Sequence, residues 1–263
     1  MRFALNNAQR VEAQPGLSGI CPGCGAPVIP KCGEVRIKHW AHVRNCECDS
    51  WHEPEGSWHR DWKSQFPESW QEIVHHAPSG ERHIADIKTV RGYVIEFQHS
   101  PLRPDERRAR DAFYPKLLWV VDATRRKSDA PMLLRLWTEG IAPVRGHPSL
   151  RRVHAPDNAV MRDWAQCVAP VFLDVGNGNL IWIIPCRTEG SAYLLPMSCS
   201  QFVGIHREES SQALAIERQW TELPPQLAML EEQLSLLQQR HSAFPRDGFQ
   251  NVLARRTRGR RRF

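Results

Sequence analysis

The stretch His83-Ile-Ala-Asp86-Ile-Lys88-Thr-Val-Arg91-Gly92-Tyr93-Val-Ile-Glu96-Phe-Gln98 decides how the chain is read. Two apolar-rich runs, His83–Val90 and Tyr93–Gln98, flank the short Arg91-Gly92 break, which is the pattern of adjacent strands. Strand alternation puts Glu96 and Gln98 on one face and Ile95 and Phe97 on the other. Asp86 lies among Ile84, Ala85 and Ile87 on the neighbouring strand. Upstream, Gln71–His76 reads as a further strand, closed by Pro78-Ser-Gly80, so the three form a meander.

The elements on either side complete a layer. Before the meander, Trp58, Trp62 and Phe66 recur at helical spacing, with Ser57 expected as N-cap and Pro67 as the stop. Glu55, His59 and Lys63, four apart, stack along a neighbouring stripe of that helix. After it, a helix from about Pro104 to Tyr114 leads into the apolar strand Leu117–Asp122. The order helix, three strands, helix, strand predicts an α/β layer with a mixed sheet.

Two acids on adjacent strands can share a hard divalent cation, Mg2+ or Mn2+, which takes oxygen ligands and keeps several waters. The Phe97 carbonyl is a further oxygen in reach, and such an ion neutralises phosphate and activates water. The plain alternative makes Asp86 and Glu96 solvent-facing groups on a half-exposed sheet. The polar stripe Glu55, His59, Lys63, bracketed by Trp58 and Trp62, is what favours chemistry over that alternative. Glu72 on the first strand is a further candidate acid, and Lys88 a further candidate cation.

The 263 residues carry 35 Lys+Arg against 29 Asp+Glu, for a net charge of +6, with 41% hydrophobic residues and ten tryptophans. That composition excludes a wholly disordered chain and leaves room for one large or two small cores. No run approaches the ~20 apolar residues of a membrane span, so no membrane association is expected. The N-terminus has no apolar signal-peptide core, so a cytoplasmic, reducing setting is expected. Eight cysteines then suggest metal before disulfides, and five of them fall between Cys21 and Cys48. Cys21-Pro-Gly-Cys24 followed by His39-Trp-Ala-His42 supplies four ligands for a closed, structural zinc site. Cys46 or Cys48 can replace a histidine in that set, and Cys32 is a weaker substitute.

Positive charge is unevenly placed. Arg103, Arg107, Arg108 and Arg110 form one basic cluster, and six arginines crowd residues 255–263. Arginine in such density suits nucleic-acid phosphates, with a solvated tail as the alternative. Phe172–Ile184 reads as a hairpin about Asn177-Gly178. Leu223, Leu227, Leu230, Leu234 and Leu237 form a short seam, expected to pack on its own domain, with a homodimer or protein partner as the alternative.

Together Cys21-Pro-Gly-Cys24, Lys31-Cys-Gly33, His39-Trp-Ala-His42, Glu55-Gly-Ser-Trp-His59-Arg-Asp-Trp-Lys63, Ala85-Asp86, Glu96-Phe-Gln98-His-Ser100, Phe113-Tyr114 and Leu118-Trp119 resemble the competence protein CoiA-like family. That family belongs to the PD-(D/E)XK nuclease superfamily, and the resemblance spans roughly residues 18–125. It implies a restriction-endonuclease-like mixed sheet flanked by helices, with an N-terminal zinc module and a C-terminal α+β extension. The expected spans are 1–48 for the zinc-finger-like module, 49–148 for the nuclease-like core and 149–263 for the remainder. It implies Asp86 and Glu96 as metal ligands, Glu55 completing the acidic set, and Gln98 standing where most of the superfamily has lysine. His59 or Lys63 is then the replacement cation. The expected function is Mg2+-dependent hydrolysis of DNA phosphodiesters in handling incoming or mobile DNA, by recombination, competence or defence. The alternatives are a DNA-binding factor on the same scaffold with little or no catalysis, and an interaction protein that recruits partners through the zinc module and leucine seam.

Overall fold

The computed structural model describes residues 1–43, 48–51, 54–77, 79–139, 143–144 and 147–242. Cys46 and the arginine-rich stretch 255–263 lie outside these residues. Two sheets organise the chain. The first holds β1 (Phe3–Asn6), β2 (Gln9–Glu12), β3 (Gly19–Ile20), β4 (Pro27–Lys31) and β5 (His39–His42), in the order β2-β1-β3-β4-β5. Its buried core is small: Ala4, Ala13, Cys21, Val28 and Trp40. So few apolar side chains stabilise a fold of this size weakly, and such folds usually need a metal or other cross-link.

The second sheet begins after helix α1 (Ser57–Ser64) and a short 3-10 turn at Glu68–Trp70. Strands β6 (Gln71–His76), β7 (Arg82–Lys88) and β8 (Val94–Gln98) form the expected antiparallel meander. Helix α2 (Pro104–Phe113) then crosses over to β9 (Leu117–Asp122), which pairs parallel with β8. The sheet is therefore mixed, as the element order requires. Pro104 sits in the first turn of α2, where the missing amide costs nothing.

Helix α3 (Asp129–Glu139), strand β10 (Pro143–Val144), β11 (His147–His154) and helix α4 (Ala159–Trp164) follow. Strands β12 (Val171–Gly176), β13 (Asn179–Pro185) and β14 (Ser191–Ser198) complete the order β10-β11-β14-β13-β12-β9-β8-β7-β6. The hairpin turn between β12 and β13 is Asn177-Gly178, with φ of 52° and 73°. Two left-handed residues in succession are the type I′ geometry that matches strand twist, and Asn and Gly tolerate it best.

Two sequence expectations change here. The N-cap of α1 is Gly56, extended and without a side-chain cap, so Ser57 is the first helical residue and not the cap. The expected break near residue 148 is not a break in the sheet, because β11 to β14 continue it beside β9. Parallel pairing of β12 with β9 buries Trp119, Leu173 and Ile181 in one core.

Helices α5 (Cys199–Arg207) and α6 (Ser211–Ser242) end the described chain. A capping box at Ser198 and Gln201 starts α5. The chain divides into two compact units, Met1–Arg218 and the remainder from Gln219, and both sheets belong to the first. In the second, Leu223 and Leu227 are buried, whereas Leu230, Leu234 and Leu237 are exposed. Among the described residues no helix is long and apolar enough to cross a membrane.

Candidate functional site

The site starts where a ladder stops. Strands β7 and β8 pair at Lys88↔Val94 and Ile87↔Ile95, and the next position in register is Asp86 beside Glu96. There the side chains take over from the backbone. The Asp86 amide donates to Glu96 Oε1 at 3.3 Å, and the Phe97 amide donates to Asp86 Oδ2 at 3.0 Å. The two carboxylates thus sit side by side, as their alternation and register require.

Helix α1 packs on this split. Trp62 stacks on Phe97, with ring centroids 5.6 Å apart, and Trp58 meets the same ring edge-on. That packing turns His59 and Lys63 inward. His59 Nε2 lies 2.8 Å from Asp86 Oδ2. Lys63 Nζ lies 2.7 Å from Glu55 Oε1, 2.8 Å from Glu72 Oε1 and 4.0 Å from Asp86 Oδ1. Glu72 holds a left-handed backbone, φ 47°, and also accepts the amides of Arg2 and Phe3.

The electrostatics follow from burial and neighbours. Burial opposes charge on Lys63, but Glu72, Asp86 and Glu55 outweigh it and raise its pKa. Glu72 and Glu55 are held below the usual carboxylate range despite burial, chiefly by Lys63. Asp86 is lowered against burial by His59 and then Lys63. Glu96 goes the other way: burial, then the Asp86 charge, push it up to about 8, with Arg110 opposing. Two adjacent carboxyl groups without a cation between them cannot both ionise cheaply.

A stability prediction follows for Glu96. Its pKa is raised on folding, from 4.5 towards 8, so its contribution is fully present below about pH 4.5 and is lost as pH rises through 8. Glu96→Gln removes that penalty. In urea unfolding the variant should gain on the wild type between pH 5 and pH 8. A gap that stays constant across this range contradicts the assignment.

The cysteine cluster comes together with one exchange of ligand. Cys21, Cys24, His42 and Cys48 place one donor atom each within 4.8 Å of one another. Cys21 Sγ and Cys48 Sγ are 3.5 Å apart, and Cys24 Sγ and His42 Nε2 are 3.3 Å apart. A tetrahedral zinc shell has edges of about 3.5–3.8 Å, so this Cys3His set fits zinc. His39 is not in the cluster, and its Nδ1 faces the Ile37 carbonyl at 2.8 Å. Residues 39 and 42 share strand β5, where an odd separation sends side chains to opposite faces. Cys48 fills the place instead, and Cys32 stays outside. Burial raises the Cys21 and Cys48 thiols, so metal binding would have to displace their protons.

The segment after Cys48 joins this centre to the carboxylates. Asp49 faces His83 Nδ1 at 2.8 Å and accepts the Ile84 amide at 2.8 Å. Trp51 stacks on His83, ring centroids 3.2 Å apart and 7° from parallel. Arg110 then bridges, donating to the Trp51 carbonyl at 2.8 Å and to Glu96 Oε2 at 3.1 Å. A cavity of about 960 Å³ opens between the first sheet and the split strands, with Glu55, His59, Lys63, Asp86 and Glu96 among its lining.

Three expected site residues stand elsewhere or serve differently. Gln98 is buried and donates to the Ser100 carbonyl at 2.8 Å, and it does not line the cavity. Arg110, expected on a nucleic-acid surface, is buried, because its guanidinium is drawn inward by Glu96 and Glu106. Glu55 does not join Asp86 and Glu96 directly but reaches them through Lys63. Arg103 is exposed and paired with Asp105, Arg108 is exposed, and Arg107 lies over Trp164. Lys88 does not line the cavity. The sequence reading missed Asp49, which no motif marks.

The cysteine centre, closed by a ligand beyond β5, decides the comparison. Residues 8–50 match the family described as competence protein CoiA, N-terminal domain. The CoiA match takes in β2 to β5 and all four residues of the Cys3His cluster. It ends before Asp86 and Glu96. Searches of curated proteins and of solved structures found no match to this chain.

Proposed function

We propose that the protein is a metal-dependent nuclease of the CoiA-like kind, on a PD-(D/E)XK scaffold, that hydrolyses phosphodiester bonds of DNA. The supporting observation is the parted strand pair, with Asp86 beside Glu96 at the wall of a cavity of about 960 Å³. Glu96 retaining its proton up to about pH 8 fits a pair of acids built to receive a cation. Mg2+ is commonly held by one or two carboxylates plus waters, so the two acids suffice for it. A divalent ion held by Asp86 and Glu96 would neutralise phosphate charge and lower the pKa of water at the site.

The chain's own groups have distinct tasks in this reading. Lys63, 4.0 Å from Asp86, is the fixed cation that takes the place left by Gln98. Glu55 and Glu72 hold its ammonium in position. His59 orients Asp86 through the 2.8 Å contact. Arg110 positions Glu96. A zinc held by the Cys3His set would be structural, since protein would fill all four positions.

The test is cleavage of labelled DNA with Mg2+ or Mn2+. Asp86→Asn should lower the rate by at least ~1,000-fold, a barrier change of about 4 kcal/mol, while the folded protein is retained. Equal cutting by the variant would sink the assignment. A DNA-binding factor without catalysis is the second reading, favoured by Gln98 turning to Ser100 and by Lys63 already facing two carboxylates. It predicts salt-sensitive binding and no product with either metal.

A further inference from the structure

The geometry points to an unpaired nucleic-acid strand, or the frayed end of a duplex, as what the cavity admits. This rests on the nuclease reading for its chemistry but on the shape of the slot for its selectivity. The acids are recessed: the side chains of Asp86 and Glu96 are 16% and 8% exposed. A scissile phosphate has to enter the cavity to meet them. B-form DNA is about 20 Å across and rises about 3.4 Å per pair, so one base pair with its grooves claims roughly 1,000 Å³. The cavity, about 960 Å³, is of the same order, so no more than about one pair could sit within it. A single strand can enter by its backbone, with bases free to turn away from the floor.

The slot is also tied against widening. Four sets of polar contacts tie the first sheet and the segment after it to the second sheet and to α1. Glu72 accepts the Arg2 and Phe3 amides at 2.7 and 3.0 Å. Arg10 donates to the Glu68 carbonyl at 2.8 Å and to the Gln71 carbonyl. Arg60 on α1 donates to the Lys38 carbonyl at 3.1 Å, pinning the β4–β5 loop. Asp49, next to the zinc ligand Cys48, holds His83 and the Ile84 amide. Opening the slot enough to straddle a duplex would break several of these at once, and buried or charge-assisted bonds are the costly ones to lose. Arg36 of the β4–β5 loop and His39 of β5 line the same cavity, groups suited to a strand's phosphates.

Gly56 gives a way to narrow the slot. It lines the cavity, its φ is −95°, and a Cβ there meets no atom within 4 Å. Gly56→Trp therefore adds bulk without backbone strain. The binding experiment uses full-length Asp86→Asn protein, so that nothing is cut. Probes are a labelled single strand of about 15 nucleotides and a blunt hairpin duplex of equal length, at about 0.2 M salt. We expect the single strand to bind at least 10-fold tighter, and Gly56→Trp in the same background to remove that preference. Equal or tighter binding of the duplex by the Asp86→Asn protein overturns the inference. So does a preference that a folded Gly56→Trp protein retains.

Cleavage separates this inference from the reading beneath it. Given a hairpin with a single-stranded arm and Mn2+, the wild type should cut in the arm. Equal cutting inside the paired stem overturns the inference and leaves the nuclease reading intact. A single-strand binding preference with no cutting supports the inference and defeats the nuclease reading.

Discussion

Replacing Lys63 by methionine should cost about 3–5 kcal/mol of stability at pH 7, read by urea unfolding, because it strands buried carboxylates without their cation. The ammonium is 2% exposed as a residue and faces Glu55, Glu72 and, at 4.0 Å, Asp86. Methionine keeps most of the volume, so little of the loss would come from a cavity. The pH dependence gives the sign. Glu55 and Glu72 have lowered pKa values because of Lys63, so their stabilisation is present above about 4.5 and is lost as pH falls through their folded values. In the variant the penalty should shrink at pH 4, where protons can neutralise the acids. A loss below about 1 kcal/mol at pH 7 would mean that the three carboxylates do not depend on this lysine.

The second large effect concerns the Cys3His centre. Removing its metal with a chelator should lower the unfolding midpoint by roughly 10 °C or more, given a loss near 5 kcal/mol in a domain of this size. Among the described residues, the core cluster at the first sheet has five buried side chains, and Cys21 is one of them. Without metal the raised thiols keep their protons and are left with only weak sulfur contacts to join them. The ligand set can be read by metal content. Cys48→Ser and His42→Ala should each lose the metal, whereas His39→Ala and Cys32→Ser should keep it. Metal lost from His39→Ala but retained by Cys48→Ser would reverse the assignment. Because Cys48 precedes Asp49 and Trp51, loss of the metal should also loosen Arg110 from Glu96.

What could be read from the chain alone follows physical locality. Strands β6 and β9 fall where alternation and breakers put them, and the Asn177-Gly178 turn needed only its two residues. Asp86 and Glu96 meet because register within a meander follows from short turns, and a short turn is a local signal. The helix stripe was legible too, since Trp58 and Trp62 announce the buried face and so place His59 and Lys63. Cys21 and Cys24 were fixed by their spacing.

The rest depended on tertiary path. Sequence distance pairs His39 with His42, although alternation along β5 separates them. Cys48 arrives at the cluster through a chain path that spacing cannot give. Arg110 counts as positive charge in a sequence and as a buried partner of Glu96 in the fold. Asp49 and the continuation of the sheet through β11 to β14 rest on contacts between distant segments. Gln98 shares a strand face with Glu96, yet its amide is taken by the Ser100 carbonyl two residues on.

The proposed chemistry needs a divalent cation gripped by Asp86 and Glu96, and Mn2+ binding followed by paramagnetic resonance measures that grip directly. With the zinc centre loaded, the wild type should bind Mn2+ at one further site, and Asp86→Asn and Glu96→Gln should each lose it. Binding that both variants preserve, or a wild type that takes up no Mn2+, would contradict it.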